Sequence, residues 1–219
     1  MKNKRLLLFI SLILFLYPVI ASGDWAWQNP LPQGNTLYGV WGSSGSDVFA
    51  VGAFGTILHY NGSTWSSMNS GTTQYLRGVW GSSGTDVFAV GDQGTILHYD
   101  GSTWLSMNSG TIYYLTSVWG SSGNDVFAVG IGIILHYDGS TWSAMPGRLF
   151  YPLCGVWGSS SSDVFAVGWT EDGYKTGICD GFTLHYDGIA WSSMPNPLND
   201  ISIGVLLVGV WGSSVMCLR

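Results

Sequence analysis

From residue 37 onward, apolar residues fall in short runs, with turn-forming residues between them in a fixed order. In the stretch 76–107 the runs predict four strands, at 76–82, 86–91, 95–99 and 103–107. Ser-Ser-Gly-Thr, Asp-Gln-Gly and Asp-Gly-Ser separate them. Glycine accepts a positive φ, and Asp and Ser side chains bond to nearby backbone N–H groups, so each separator predicts a tight turn. The run Val87-Phe88-Ala89-Val90 does not alternate polar with apolar. That is the mark of a strand buried on both faces.

The same pattern recurs along the chain. VWGSSGTDVFAVGDQGTILHYDGSTW (79–104) returns with few changes. Its first Trp falls at Trp41, Trp80, Trp119, Trp157 and Trp211, at spacings of 39, 39, 38 and 54. Its His falls at His59, His98, His136 and His185, each followed by a second Trp at Trp65, Trp104, Trp142 and Trp191. Two insertions explain the long last spacing: one between Gly168 and His185, with Glu171, Asp172, Lys175 and Cys179, the other between Trp191 and Trp211. Four strands in roughly 40 residues, the second buried on both faces, make the blade of a β-propeller. The predicted fold class is therefore all-β, a β-propeller of four-stranded blades at 37–68, 76–107, 115–145 and 153–194. A solenoid of β-arches is the rival, but it has shorter repeats and fewer antiparallel turns.

Two leftovers flank these blades. Residues 25–29 match only the last strand of a repeat, and 205–213 match only the first. Together they would supply a partial fifth blade. After the last VWGSS, residues 215–219 replace the expected polar turn and DVFAVG, which reads as an aberrant tail or a truncation. The expectation is an open or strained arc that self-associates through its uncovered blade faces. Closure is the alternative, with 25–29 and 205–213 in one sheet and a monomer as the product.

The repeat VWGSS-x-x-DVFAVG-x-x-GTILHYDGSTW resembles the propeller repeats of exported bacterial proteins related to the bacterial neuraminidase repeat. The opening WQNPLPQGNTLYGVWG (27–42) resembles the first blade of propellers similar to photosystem II assembly factors. The resemblance spans Trp25 to about Ser214 and implies the propeller fold. It implies little about activity, because that fold carries many. It also implies that HYDGSTW (98–104) is a shortened Asp box, a hairpin turn away from any catalytic centre, with Asn61 replacing the Asp in the first repeat.

Charge changes the picture next. The chain has 219 residues, 9% charged, with 7 basic and 13 acidic residues. Lys2, Lys4 and Arg5 precede an apolar run from Leu6 to Leu16, the pattern of a signal peptide over 1–23, with a mature start between Ser22 and Trp25. Its removal leaves Arg77, Arg148, Lys175 and Arg219 as the basic residues, too few for a basic patch. Nucleic acid and anionic lipid are therefore not expected partners. The expected location is exported (periplasmic, extracellular or cell-surface) with no membrane insertion after cleavage. Among the three cysteines, Cys154 and Cys179 either pair across the fourth repeat or stand as two thiols.

Candidate chemistry is sparse. The four repeated His occupy one place per blade, so they spread around a ring instead of converging within the ~2 Å that a metal ligand needs. Each is expected to bond to a neighbouring blade. Asp47, Asp86, Asp125 and Asp163 each follow a Ser-rich turn and are expected to close an Asx turn, not to bind calcium. The repeated Trp residues are expected to pack between blades. Irregular aromatics are better contact candidates: Tyr75, Tyr113, Tyr114, Phe150 and Tyr151 before the first strands, and Trp169 and Tyr174 in the insertion. Sialidase chemistry, in the family resembled, needs an arginine cluster and a Tyr–Glu pair. The chain offers one glutamate, Glu171, and scattered arginines. No cofactor is expected. The reading is a non-catalytic exported binding or scaffold module for a protein or glycan, with three alternatives: a fragment of a larger propeller protein, an assembly factor for a membrane complex and, furthest behind, a sialidase-type glycosidase.

Overall fold

In the computed structural model the described residues are 34–146, 151–169 and 181–195. They form sixteen strands in four antiparallel sheets, each a meander in chain order. The first blade holds β1 (Leu37–Ser44), β2 (Asp47–Gly52), β3 (Ile57–Tyr60) and β4 (Trp65–Met68). The second holds β5 (Leu76–Ser83), β6 (Asp86–Gly91), β7 (Ile96–Tyr99) and β8 (Trp104–Met107). The third holds β9 (Leu115–Ser122), β10 (Asp125–Gly130), β11 (Ile133–Tyr137) and β12 (Trp142–Ala144). The fourth holds β13 (Leu153–Ser160), β14 (Asp163–Trp169), β15 (Gly181–Tyr186) and β16 (Trp191–Met194). This is the propeller architecture that the repeat predicts. The partial fifth blade from 25–29 and 205–213, the signal segment 1–23 and the tail 215–219 lie outside the described residues. Among the described residues no helix is long and apolar enough to cross a membrane.

Each first strand lies beside the first strand of the next blade, β1 by β5, β5 by β9 and β9 by β13. Small residues permit that approach. A Cβ at Gly39 would sit 3.1 Å from the Arg77 carbonyl, and one at Gly78 3.1 Å from Ser117 Cα. In the third blade Ser117 takes the glycine's place, and its hydroxyl accepts the Val156 N–H across the junction at 3.3 Å. Every first strand carries register shifts near both ends, which break its pairing with the second strand.

In the second and third blades the second strand is buried on both faces, as its unbroken apolar run predicts: Val87, Phe88, Ala89 and Val90 are all inaccessible to solvent. The core is divided into three clusters, one at each junction of consecutive blades. At the first, Phe49, Val51 and Ile57 meet Leu76, Val79, Val87 and Trp104. At the three described junctions, Trp residues of both series pack between blades. The ring edge of Trp41 lies 2.7 Å from where a Gly81 Cβ would be, and Trp104 meets Phe49 edge-on at 6.1 Å. Indole N–H groups of Trp142 and Trp191 donate to the sulfurs of Met107 and Met145 in the preceding blade, at 3.5 and 3.1 Å.

The hairpin loop between β2 and β3 turns on Phe54 (φ 56°) and Gly55 (φ 70°). Two left-handed central residues make the turn type whose twist suits a two-residue hairpin. In the second blade Gln93 (φ 57°) and Gly94 (φ 66°) do the same. The loop is pinned to the segment leading into the next blade, where the Gly94 N–H donates to the Tyr113 carbonyl at 2.9 Å.

Candidate functional site

The two edges of each sheet carry different chemistry. At the edge where first strands end, Asp47 accepts from the Ser43 hydroxyl and lies 2.6 Å from His59 Nε2. The arrangement recurs as Ser82–Asp86–His98, Ser121–Asp125–His136 and Ser159–Asp163–His185, with His–Asp distances of 2.6, 2.6 and 2.8 Å. The imidazole lies on its own blade's Phe: His59 on Phe49 at 4.4 Å, His98 on Phe88 at 4.5 Å. The histidine's polar partner is thus in its own blade, not in the neighbouring one, because β2 and β3 pair with Phe49 opposite His59. The aspartate, in the second strand, clips the first and third strands to it through its side chain and does not close an Asx turn.

Ser, His and Asp at hydrogen-bond distance invite comparison with a nucleophilic triad, but the connectivity is wrong for one. The aspartate stands between serine and histidine, whereas a triad needs histidine between serine and aspartate to take the serine proton. The Ser43 hydroxyl bond, aided by His59, holds Asp47 below its ordinary range, and Ser159 does the same to Asp163. The Asp-box turns lie at this edge too. Asp100 Oδ1 accepts the N–H groups of Ser102 and Thr103 at 2.8 Å, which lowers its pKa to about 2. Every aspartate among the described residues is engaged in this way or, at Asp92, by Arg77. No three His, Cys, Asp or Glu side chains among the described residues converge as a metal site would require.

The opposite edge, where first strands begin, is aromatic. Tyr38 stacks on Tyr75 at 6.1 Å, and Phe54 meets Tyr75 edge-on at 5.1 Å. The Arg77 guanidinium lies 5.7 Å from the Tyr38 ring centre and 5.9 Å from that of Tyr114. Asp92 takes two hydrogen bonds from it, one from Nη2 at 3.1 Å, and raises its pKa. Phe54, Tyr38, Tyr113 and Tyr114 are exposed. The contact candidates read from sequence therefore separate. Tyr75, Tyr113 and Tyr114 belong to this rim. Tyr151 lies in the fourth blade against Phe182 at 6.0 Å. Trp169 is at the end of β14, and burial pushes the Cys154 thiol's pKa up against a smaller lowering effect of the Trp169 side chain. Phe150, Tyr174 and Cys179 lie outside the described residues, so the Cys154–Cys179 pairing has no described partner. Sequence reading missed Tyr38, Phe54, Arg77 and Asp92. They occupy three repeat columns, the second residue of the first strand and the first two residues of the hairpin loop, where the repeats differ.

No protein family and no curated protein matches the chain in sequence. Solved propellers match it in fold. The structure "YCF48 bound to D1 peptide" superposes with a TM-score of 0.58 at 17% identity, over 76% of this chain and 55% of that one. YCF48 from Cyanidioschyzon merolae gives 0.58 at 15% identity, over 77% and 59%. An ancestral GH74 enzyme gives 0.58 at 14% identity, over 76% of this chain and 26% of that chain. This chain thus spans little more than half of the YCF48 propellers and about a quarter of the GH74 enzyme. At such identities the likeness defines a β-propeller and goes no further.

Proposed function

We propose that this chain is an exported, non-catalytic binding module that holds a protein or peptide partner on its aromatic rim. The observation that carries the reading is the cluster in which Arg77 lies over Tyr38 and Tyr114 while half-buried Tyr75 joins Tyr38 to Phe54, with Tyr38, Phe54 and Tyr114 exposed at one edge of a rigid set of sheets. Aromatic and arginine side chains concentrate binding energy at interfaces. A rim held by strand starts and tight loops is preorganised, so little entropy is lost on binding. The fold likeness to a propeller solved with a bound peptide lends support to a peptide over a glycan.

A glycosidase reading has the GH74 likeness in its favour, but the described carboxylates oppose it. General acids in glycoside hydrolysis need a raised pKa. Asp47, Asp100, Asp138, Asp163 and Asp187 are all shifted down by the hydrogen bonds they accept. An envelope-protein and glycan binding screen tests the proposal. Phe54→Ser with Tyr75→Ala should abolish capture of the partner, while Ile189→Ser, exposed on a turn away from the rim, should leave it intact. Capture unaffected by the rim variant, or turnover of a glycoside panel, would reject it. N-terminal sequencing of exported protein should begin between residues 22 and 25; a chain beginning at Met1 would reject the leader.

A further inference from the structure

The three junctions are built alike. On the trailing side Phe49 and Ile57, Phe88 and Ile96, or Phe127 and Ile134 pack. They meet Leu76 and Val79, Leu115 and Val118, or Leu153 and Val156 on the leading side of the next blade. Among the described residues, the two ends of the row carry the same surfaces without that cover. On the first blade Leu37 is 44% and Val40 69% exposed. On the fourth, Phe165 and Thr183, at the places of Phe127 and Ile134, are half-buried.

We propose that the leading face of the first blade receives the trailing face of the fourth blade of a second copy, head to tail, forming another junction of the same design. The internal junctions supply the template. Trp41, Trp80 and Trp119 each place a ring edge 2.6–2.7 Å from the Cβ position of Gly81, Gly120 and Gly158. Trp157 is the next ring in that series and Gly42 the next seat, and Gly42 has no described indole over it. Gly84 and Gly123 likewise make room for the carboxylates of Asp47 and Asp86, 2.0 and 1.9 Å from their Cβ positions. Gly45 has no described atom within 4 Å of its Cβ position, and so offers the same room to Asp163 of a second copy. That aspartate is held by Ser159 and His185 of its own blade, and the other residues named on the two faces are uncharged. Thr183 in the isoleucine place makes this junction weaker than the internal ones, and association therefore depends on concentration. The contact is heterologous: copies that meet at both ends close a ring, and otherwise they extend. The inference rests on the blade faces and not on the aromatic rim, so it stands or falls separately from the binding function.

Sedimentation equilibrium of the mature chain across a micromolar dilution series tests it. The weight-average mass should rise to at least twice that of one chain. Val40→Arg blocks the leading face and Thr183→Arg the trailing face, so each variant alone should stay at the mass of one chain. Mixed in equal amounts, they retain one intact face each and should form a dimer and nothing larger. Leu37→Glu should behave as Val40→Arg does, which guards against a local folding defect in either, and circular dichroism of each variant should match the parent. A parent monomeric at every concentration, as when residues 205–213 of the same chain cover the fourth blade, would overturn the proposal. So would undiminished assembly of Val40→Arg, or a mixture that stays monomeric.

Discussion

The first strands of the first and second blades, LYGVWGSS and LRGVWGSS, differ in one residue, yet they live in different surroundings. Leu76 is inaccessible and Val79 is 9% exposed, while Leu37 and Val40 are open to solvent. Gly81 lies under the Trp41 ring, and Gly42 has no counterpart above it among the described residues. Burial here is a property of the neighbouring blade and not of the strand's own sequence. Features confined to one blade should therefore be equivalent in all four, and features shared between blades should fail at the ends.

The largest test of that division is truncation at the paired leucines. Leu76→Ala should cost about 2–5 kcal/mol, the range for a buried leucine. Leu37→Ala, measured at a concentration where the chain is monomeric, should cost less than about 0.5 kcal/mol, as at an ordinary surface site. Equal losses in denaturant melts would mean that the first blade's face is covered in solution.

The Ser–Asp–His clip makes the complementary case, because it lies within one blade. His98→Ala removes one hydrogen bond to a partly exposed carboxylate and should cost about 1–3 kcal/mol. His59→Ala in the first blade should cost the same within about 0.5 kcal/mol, whatever covers that blade. A marked difference between the two would show that the clip depends on the junction after all.

What was legible in the sequence follows the same line. The four-stranded meander within a blade could be read from the repeat, because it rests on residues local to one blade. The partner of the histidine could not: the repeat places His59 in β3 and Asp47 at the start of β2, but only the antiparallel register brings them to 2.6 Å. The aromatic rim was half legible. Tyr75, Tyr113 and Tyr114 stood out as departures from the repeat. Phe54 and Arg77 act through contacts that span two or three blades, which linear spacing does not encode.

A smaller effect is expected at the turn glycines. Gly84→Ala pushes a methyl group against the Asp47 carboxylate of the preceding blade, which can swing aside by giving up a hydrogen bond, at a cost of about 1 kcal/mol. Gly45→Ala meets no described atom within 4 Å and should be neutral in the same melt. The fourth repeat already carries Ser161 at this place, which sets the cost at the modest end. A loss at Gly84 as large as that of Leu76→Ala would show that the carboxylate cannot move.

The smallest expected effect separates the first blade from the others by chemistry instead of by packing. Its Asp-box turn is built on Asn61, whose Oδ1 accepts the N–H groups of Ser63 and Thr64, both at 3.0 Å. The second and third turns use Asp100 and Asp138, held at a pKa of about 2 by the backbone N–H groups of Thr103 and Thr141, with Ser102 and Ser140 assisting, against an ordinary 3.8. A carboxylate whose pKa is lower in the folded chain than in the unfolded one adds stability above the unfolded value. That contribution fades as pH falls through the folded value. The window is thus between about pH 4 and pH 2, and the asparagine turn has no part in it. Replacing Asp100 and Asp138 together by Asn should flatten the fall in thermal midpoint across that window, while Asn61→Asp should steepen it. Both turns are fully exposed, so the shifts will be small, and the slope against pH, not the midpoint at neutral pH, is the quantity to compare. Parallel curves for all three proteins would mean that the turn carboxylates keep their bonds to no net advantage over water.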